Sequence, residues 1–126
     1  MNVDANRTGS VAEQLHQLDE AVALSRVGGD RDLLREVVDL FLGDYPDTLN
    51  KIRAAVSTRD ANALEHHAHS LKGSVSTFGA KYAFDAALAL ERKGRSGDLA
   101  GVDEGLGLLE SALVSLRPEL ETLQAR

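Results

Sequence analysis

Three of the chain's four histidines crowd into one short stretch, Leu64-Glu65-His66-His67-Ala68-His69-Ser70-Leu71-Lys72-Gly73-Ser74-Val75-Ser76. Leu64, Ala68, Leu71 and Val75 recur at helical spacing and must face a core, which assigns the other sides of that helix. His69, Lys72, Gly73 and Ser76 then stand at i, i+3, i+4 and i+7, one stripe beside the core seam that should be at least partly exposed. A neutral imidazole nitrogen is a nucleophile, and imidazole titrates near pH ~6.5 when unperturbed, so it is largely neutral at cellular pH. Lys72 sets an ammonium within reach of an anion held on that ring. A phosphoryl oxygen about 4 Å from it would gain on the order of 4 kcal/mol at an effective dielectric of 20, enough to position the group but not to drive the chemistry. Gly73 stands mid-helix, where glycine costs about 1 kcal/mol against alanine, and no turn excuses it. A glycine kept there implies that another surface comes close to the backbone. Exposed imidazole, adjacent cation and a cleared approach suit in-line phosphoryl transfer between two proteins.

The neighbouring residues have plainer readings beside the functional ones. His66, one turn before His69, borders the docking face or is simply solvated. His67 flanks the core near Leu71. Glu65, at i−4 from His69, either hydrogen-bonds the imidazole and sets its tautomer or is an idle surface carboxylate. His66 and His69 at i, i+3 could share an ion, since imidazole is a common metal ligand. Yet there is no His-Glu-x-x-His pair, and the Glu-x-x-His motif of di-iron bundles would need a glutamate where His66 stands, so no metal is expected. No Gly-x-x-x-x-Gly-Lys-Ser/Thr run is present, so no ATP site is evident and no autonomous kinase activity is expected. Arg92, Lys93 and Arg95 fall in the last turn of a helix, where cations complement the dipole.

These residues need a scaffold, and the punctuation of the chain outlines one. At 126 residues it has length for one core. Ala and Leu dominate the apolar set and aromatics are scarce, which favours helix. Met1 to Gly9 reads as a flexible tail, followed by one helical domain over residues 10–126. A first helical stretch opens near Ser10, with Val11, Leu15, Leu18 and Val22 in register. Asp19 is placed to cap a separate short helix that stops at Gly28-Gly29. Asp30 caps a long helix burying Val38, Phe41, Tyr45, Leu49, Ile52 and Val56, with a kink expected at Pro46. Asp60 opens the histidine-bearing helix, which ends or bends at Gly79. The next, from about Lys81 to Arg95, should bury Phe84, Ala87, Leu88 and Leu90. The last carries a seam of Leu99, Val102, Leu106, Leu109, Leu113, Leu116, Leu120 and Leu123, weakened by Gly101, Gly105 and Gly107, with its final turn split off at Pro118. The fold expected is all-α: an antiparallel up-down four-helix bundle with an additional N-terminal helix across one end.

Composition narrows the function further. There is no cysteine, which excludes disulfides and thiol chemistry. No apolar run approaches the roughly 18 residues of a membrane span, and the polar N-terminus has no signal-peptide core, so the expected location is the cytoplasm. The net charge of −6 argues against nucleic acid, whose binding rests on Lys and Arg neutralising phosphates.

The run Ala68-His69-Ser70-Leu71-Lys72-Gly73 followed by Gly79-Ala80 resembles the signature of histidine-containing phosphotransfer (HPt) domains of bacterial multistep two-component phosphorelays. The likeness extends from about Leu18 to Leu116 and takes in Leu18-Asp19, Gly28-Gly29-Asp30, Phe41-Leu42 and Leu90-Glu91. It implies that His69 accepts a phosphoryl group from the aspartate of a receiver domain and passes it to another receiver aspartate. It also implies that Lys72 positions that group and that Gly73 makes room for the receiver. Ser76 fits the small or polar residue common at its position. Response-regulator receiver domains are the implied partners, a hybrid histidine kinase a further candidate, and the chain itself a monomer. No cofactor of its own is implied, because Mg²⁺ would come with the receiver. The alternative is a non-catalytic helical adaptor that binds receiver or kinase domains through this face without being phosphorylated.

Overall fold

The computed structural model describes residues 17–126; the stretch expected to open at Ser10, with Val11 and Leu15, lies outside them, as does the tail before it. Five helices follow in order: α1 (Glu20–Arg26), α2 (Arg31–Thr58), α3 (Ala61–Ser76), α4 (Lys81–Ser96) and α5 (Val102–Ala125). The first three begin at aspartates whose extended backbone lets the carboxylate accept an orphan N–H of the first turn. Asp19 takes Val22 N, Asp30 takes Leu33 N and Asp60 takes Ala63 N. Helix α1 stops because Gly28 and Gly29 both adopt positive φ, and Gly29 N–H then satisfies the Leu24 carbonyl at 2.9 Å.

Short connections force α2 to α5 to run up and down. Helix α2 packs on α3 and α5, α3 on α4, and α4 on α5, which closes the bundle. Val38, Phe41, Leu49, Ile52 and Val56 of α2 are buried, and Tyr45, half-buried, stacks on Phe41 at 5.1 Å. Leu64, Ala68, Leu71 and Val75 of α3 are buried as their spacing predicts. The α5 seam holds from Val102 through Leu109, Leu113, Leu116 and Leu120 to Leu123, while Leu106 is only half-buried and Leu99 precedes the helix. Both prolines stand on exposed positions inside unbroken helices. The final turn is therefore not split off at Pro118: packed apolar residues on either side outweigh one missing backbone bond.

Helix α4 departs most from expectation. Its buried stripe is Ala83, Ala87, Leu90, Glu91 and Gly94, and Phe84 and Leu88 sit half-buried at its edge. The cause is Gly94. A methyl group there would lie 2.5 Å from Glu65 N and 2.7 Å from the Ala61 carbonyl oxygen, so the two backbones meet closely only because it is absent. That approach rotates α4 until Glu91, one turn earlier, lies beneath the histidine-bearing face of α3.

The described chain is tied to the bundle at its start. Gln17 donates Nε2 to the Ala112 carbonyl and accepts Ala83 N–H on Oε1, both at 2.8 Å, while Asp19 N–H bonds Phe78 O at 3.0 Å. Among the described residues no helix is long and apolar enough to cross a membrane.

Candidate functional site

His69 projects from the middle of α3 with two thirds of its side chain exposed. Its Nδ1 lies 2.8 Å from Oε2 of Glu91, a carboxylate only 2% exposed. A carboxylate in that position would be expensive to keep charged without partners. Glu91 has three. Lys72 Nζ stands 2.8 Å from Oε1, and Arg95 Nη2 shares Oε2 with the imidazole, also at 2.8 Å. The Lys72 ammonium beside Oε1 does most to hold the Glu91 carboxyl below the usual carboxylate range, against burial that pushes it up, and His69 adds to the lowering. Glu91 therefore stays ionised and can only accept. The imidazole must carry its proton on Nδ1, which leaves the lone pair on Nε2 facing outward.

Lys72 is less available than the sequence suggests. Its side chain is 20% exposed, its ammonium is engaged by Glu91, and it lies 6.0 Å from the centre of the Phe84 ring. Glu65 does not bond the imidazole. Its carboxylate accepts Arg95 Nε at 2.9 Å, because Glu91 already occupies the Nδ1 side of His69. That ion pair raises the Arg95 guanidinium, Glu65 first and Glu91 second. His66 is exposed and joins Asn62, Glu65, His69, Glu91 and Arg95 around an open cavity of about 360 Å³. His66 also meets the ring of His67 edge to face at 5.0 Å, and the pKa of His67 is lowered by burial first and by His66 second. No group of three or more His, Asp or Glu side chains among the described residues converges on a metal position.

Gly73 is exposed, and a Cβ built on it would touch nothing. The space it leaves lies entirely outside the molecule. Ser76 is half-buried and returns its hydroxyl to the Gly73 carbonyl at 3.0 Å, so it contributes a small surface more than a free donor. Ser70 and Ser74 are exposed alongside, and Ser74 bonds back to Ser70 O at 3.2 Å. The site thus combines a flat, small-residue lawn with one protruding ring.

Glu91 and Arg95 are the residues that motif reading leaves out. The signal for them was present: Ala83, Ala87, Glu91 and Gly94 step by four, four and three, which puts a carboxylate inside a core stripe, and Arg95 follows Glu91 by one turn.

Comparison with known proteins bears on what such a site is for. The Hpt domain family matches residues 36–125, more than two thirds of the chain. Among solved structures, histidine-containing phosphotransfer protein B from Pseudomonas aeruginosa PAO1 superposes with a TM-score of 0.81 at 29% identity, covering 88% of this chain and 96% of that one. No curated protein matches in sequence. The bundle and the family match agree: the chain belongs to the Hpt domain family, whose part in phosphorelays is histidine phosphotransfer.

Proposed function

We propose that His69 is the phosphoryl acceptor and that it relays the group between the aspartates of two receiver domains. The observation that carries this reading is the His69–Glu91 contact, which engages Nδ1 on a ring two thirds exposed and leaves Nε2 as the nitrogen for the incoming group. In the transfer, Nε2 attacks phosphorus and a nitrogen–phosphorus bond forms. The phosphorus–oxygen bond to the receiver's aspartyl carboxylate breaks, and its electron pair leaves with that carboxylate. The Nδ1 proton stays in place, and the ring's developing positive charge is met by the Glu91 carboxylate. Lys72 acts through Glu91, holding the carboxylate charged and aligned. Mg²⁺ belongs to the receiver's acidic pocket in this reading, and this chain supplies only the nucleophile and its surroundings.

Docking by the receiver is supported by the lawn around Gly73 and by the groove beside it. Between α2 and α3 runs a cleft of about 190 Å³ lined by Val37, Leu40, Asp44, Leu71, Ser74 and Thr77. Leu40 on its rim is 66% exposed, an apolar side chain at the surface one helix away from the histidine. No nucleotide is needed, since the group arrives on a partner already activated.

The test is incubation with a panel of receiver domains carrying radiolabelled phosphate. At least one should transfer label to the wild-type protein, in a form labile to acid and stable to base. His69→Gln should take none while keeping its helical content. Label on the His69→Gln protein would move the acceptor elsewhere, and partner affinity that survives in a wild-type protein taking no label would make the chain an adaptor.

A further inference from the structure

The cavity beside His69 contains one guanidinium, and it comes from α4, not from the histidine's own helix. Arg95 Nη2 and His69 Nδ1 each lie 2.8 Å from the same oxygen, Glu91 Oε2, so the two nitrogens are no farther apart than twice that distance. Lys72 does not line this cavity. Its ammonium approaches Glu91 from the other side, on Oε1, with four fifths of its side chain covered. The two cations near the histidine are therefore in different situations. Lys72 is held inside as a counter-ion, whereas Arg95 is 62% exposed at the rim and binds its carboxylates with Nε and Nη2 alone. Nη1 makes no hydrogen bond among the described residues, and a guanidinium presents five donors in one plane.

We infer that Arg95 is the side chain that binds the phosphoryl group on His69, with Nη1 and the second Nη2 proton reaching its oxygens while Nε stays on Glu65. This rests on His69 being the acceptor and assigns to α4 a role that the sequence reading gave to Lys72. The charges facing the site from α3 are Glu65, His66, His69 and Lys72, and those from α4 are Glu91 and Arg95. With the imidazole neutral, the two carboxylates already balance the two cations, so an arriving dianion needs a donor that can turn toward it without unmaking Glu91. Lys72 would have to abandon a buried carboxylate to do so, and Arg95 keeps a free edge for the purpose. The ion pair with Glu65 then acts as a hinge, holding the stem while the guanidinium plane turns.

The experiment compares Arg95→Ala, Arg95→Lys and Arg95→Met with wild type and with His69→Gln. Each is charged from the receiver that labels wild type and, separately, from potassium phosphoramidate. That small donor forms the same nitrogen–phosphorus bond while its own phosphorus–nitrogen bond breaks and ammonia leaves, so no receiver docks. Arg95→Ala and Arg95→Met, the latter keeping the stem's packing, should slow acceptance from both donors by about tenfold, the scale of one lost charge-assisted hydrogen bond. Arg95→Lys should recover part of the rate. Rates within about twofold of wild type for both truncations, with His69→Gln inert in the same assay, would overturn the assignment and leave the acceptor standing. Slowing confined to the receiver would overturn it too, making Arg95 a docking residue. Label on His69→Gln would instead remove the reading beneath it.

Discussion

Gly94 and Gly73 sit on neighbouring helices within a few turns of His69, and the absence of a side chain does opposite work at each. At Gly94 a single added carbon would strike the backbone of α3, so the glycine closes a gap inside the fold. At Gly73 the same carbon would meet nothing, so the glycine keeps a gap open outside it. The first brings Glu91 under the imidazole, and the second, in the proposed reading, leaves the imidazole's surroundings level enough for another protein. Internal packing and external access are thus separate devices in this site, and each can be broken alone.

The largest expected effect is at the product of the internal device. Glu91→Ala should slow phosphoryl acceptance on the order of a hundredfold, because the ring loses the group that fixes its tautomer and orientation. The rate of label transfer from a phosphorylated receiver measures this. Glu91 also makes acid stability legible. Its folded pKa lies below its ordinary value of 4.5, so its contribution is complete above that value and is lost as the pH falls through the lowered one. Denaturant melts at descending pH should show wild type losing stability there, and Glu91→Ala losing less.

Gly94→Ala comes next. Forcing apart two packed backbones should cost about 1–3 kcal/mol in denaturant unfolding. Acceptance should slow with it, as Glu91 withdraws from His69. Unchanged stability would mean that α3 and α4 do not meet as closely as described.

Gly73 gives the smallest and most pointed result. Gly73→Ala should raise stability by about 0.5–1 kcal/mol, since an exposed helical glycine gains from a methyl group that meets nothing. Gly73→Leu should fold as well as wild type yet transfer poorly from receivers. Its rate with phosphoramidate should stay near wild type, because only the large partner needs the space. A loss of stability in either variant would place Gly73 with Gly94 and dissolve the contrast.

The bundle was largely legible because its signals are local. Asp19, Asp30 and Asp60 are aspartates directly before apolar-periodic runs, and each caps a helix. Leu64, Ala68, Leu71 and Val75 announce their buried face by spacing alone. The exposed face of that helix was legible in part for the same reason: His69 and Gly73 do lie on the surface, whereas Lys72, on the same stripe, turns inward to Glu91. Its internal half was not. Which of two carboxylates meets the imidazole depends on how α4 is rotated against α3, and that is set by a contact between Gly94 and residues about thirty positions away. Periodicity put Phe84 and Leu88 in the core when Ala83, Glu91 and Gly94 hold those positions. Aromatic and aliphatic bulk outweighs a charged residue in any reading of hydropathy, but a close helix crossing selects for small residues and turns the helix accordingly. The same misplacement made Glu65 a candidate partner of the ring and left Arg95 as a helix-end cation.

In the proposed transfer the phosphoryl group goes to Nε2 of His69 because Glu91 holds the proton on Nδ1. Nitrogen–phosphorus coupling in histidine-labelled protein, charged from its receiver and examined by NMR, tests it directly. The expected result is a single phosphorylated ring, that of His69, coupled through Nε2 and still protonated at Nδ1. Coupling through Nδ1, or a phosphorylated His66 or His67 in place of His69, would contradict it.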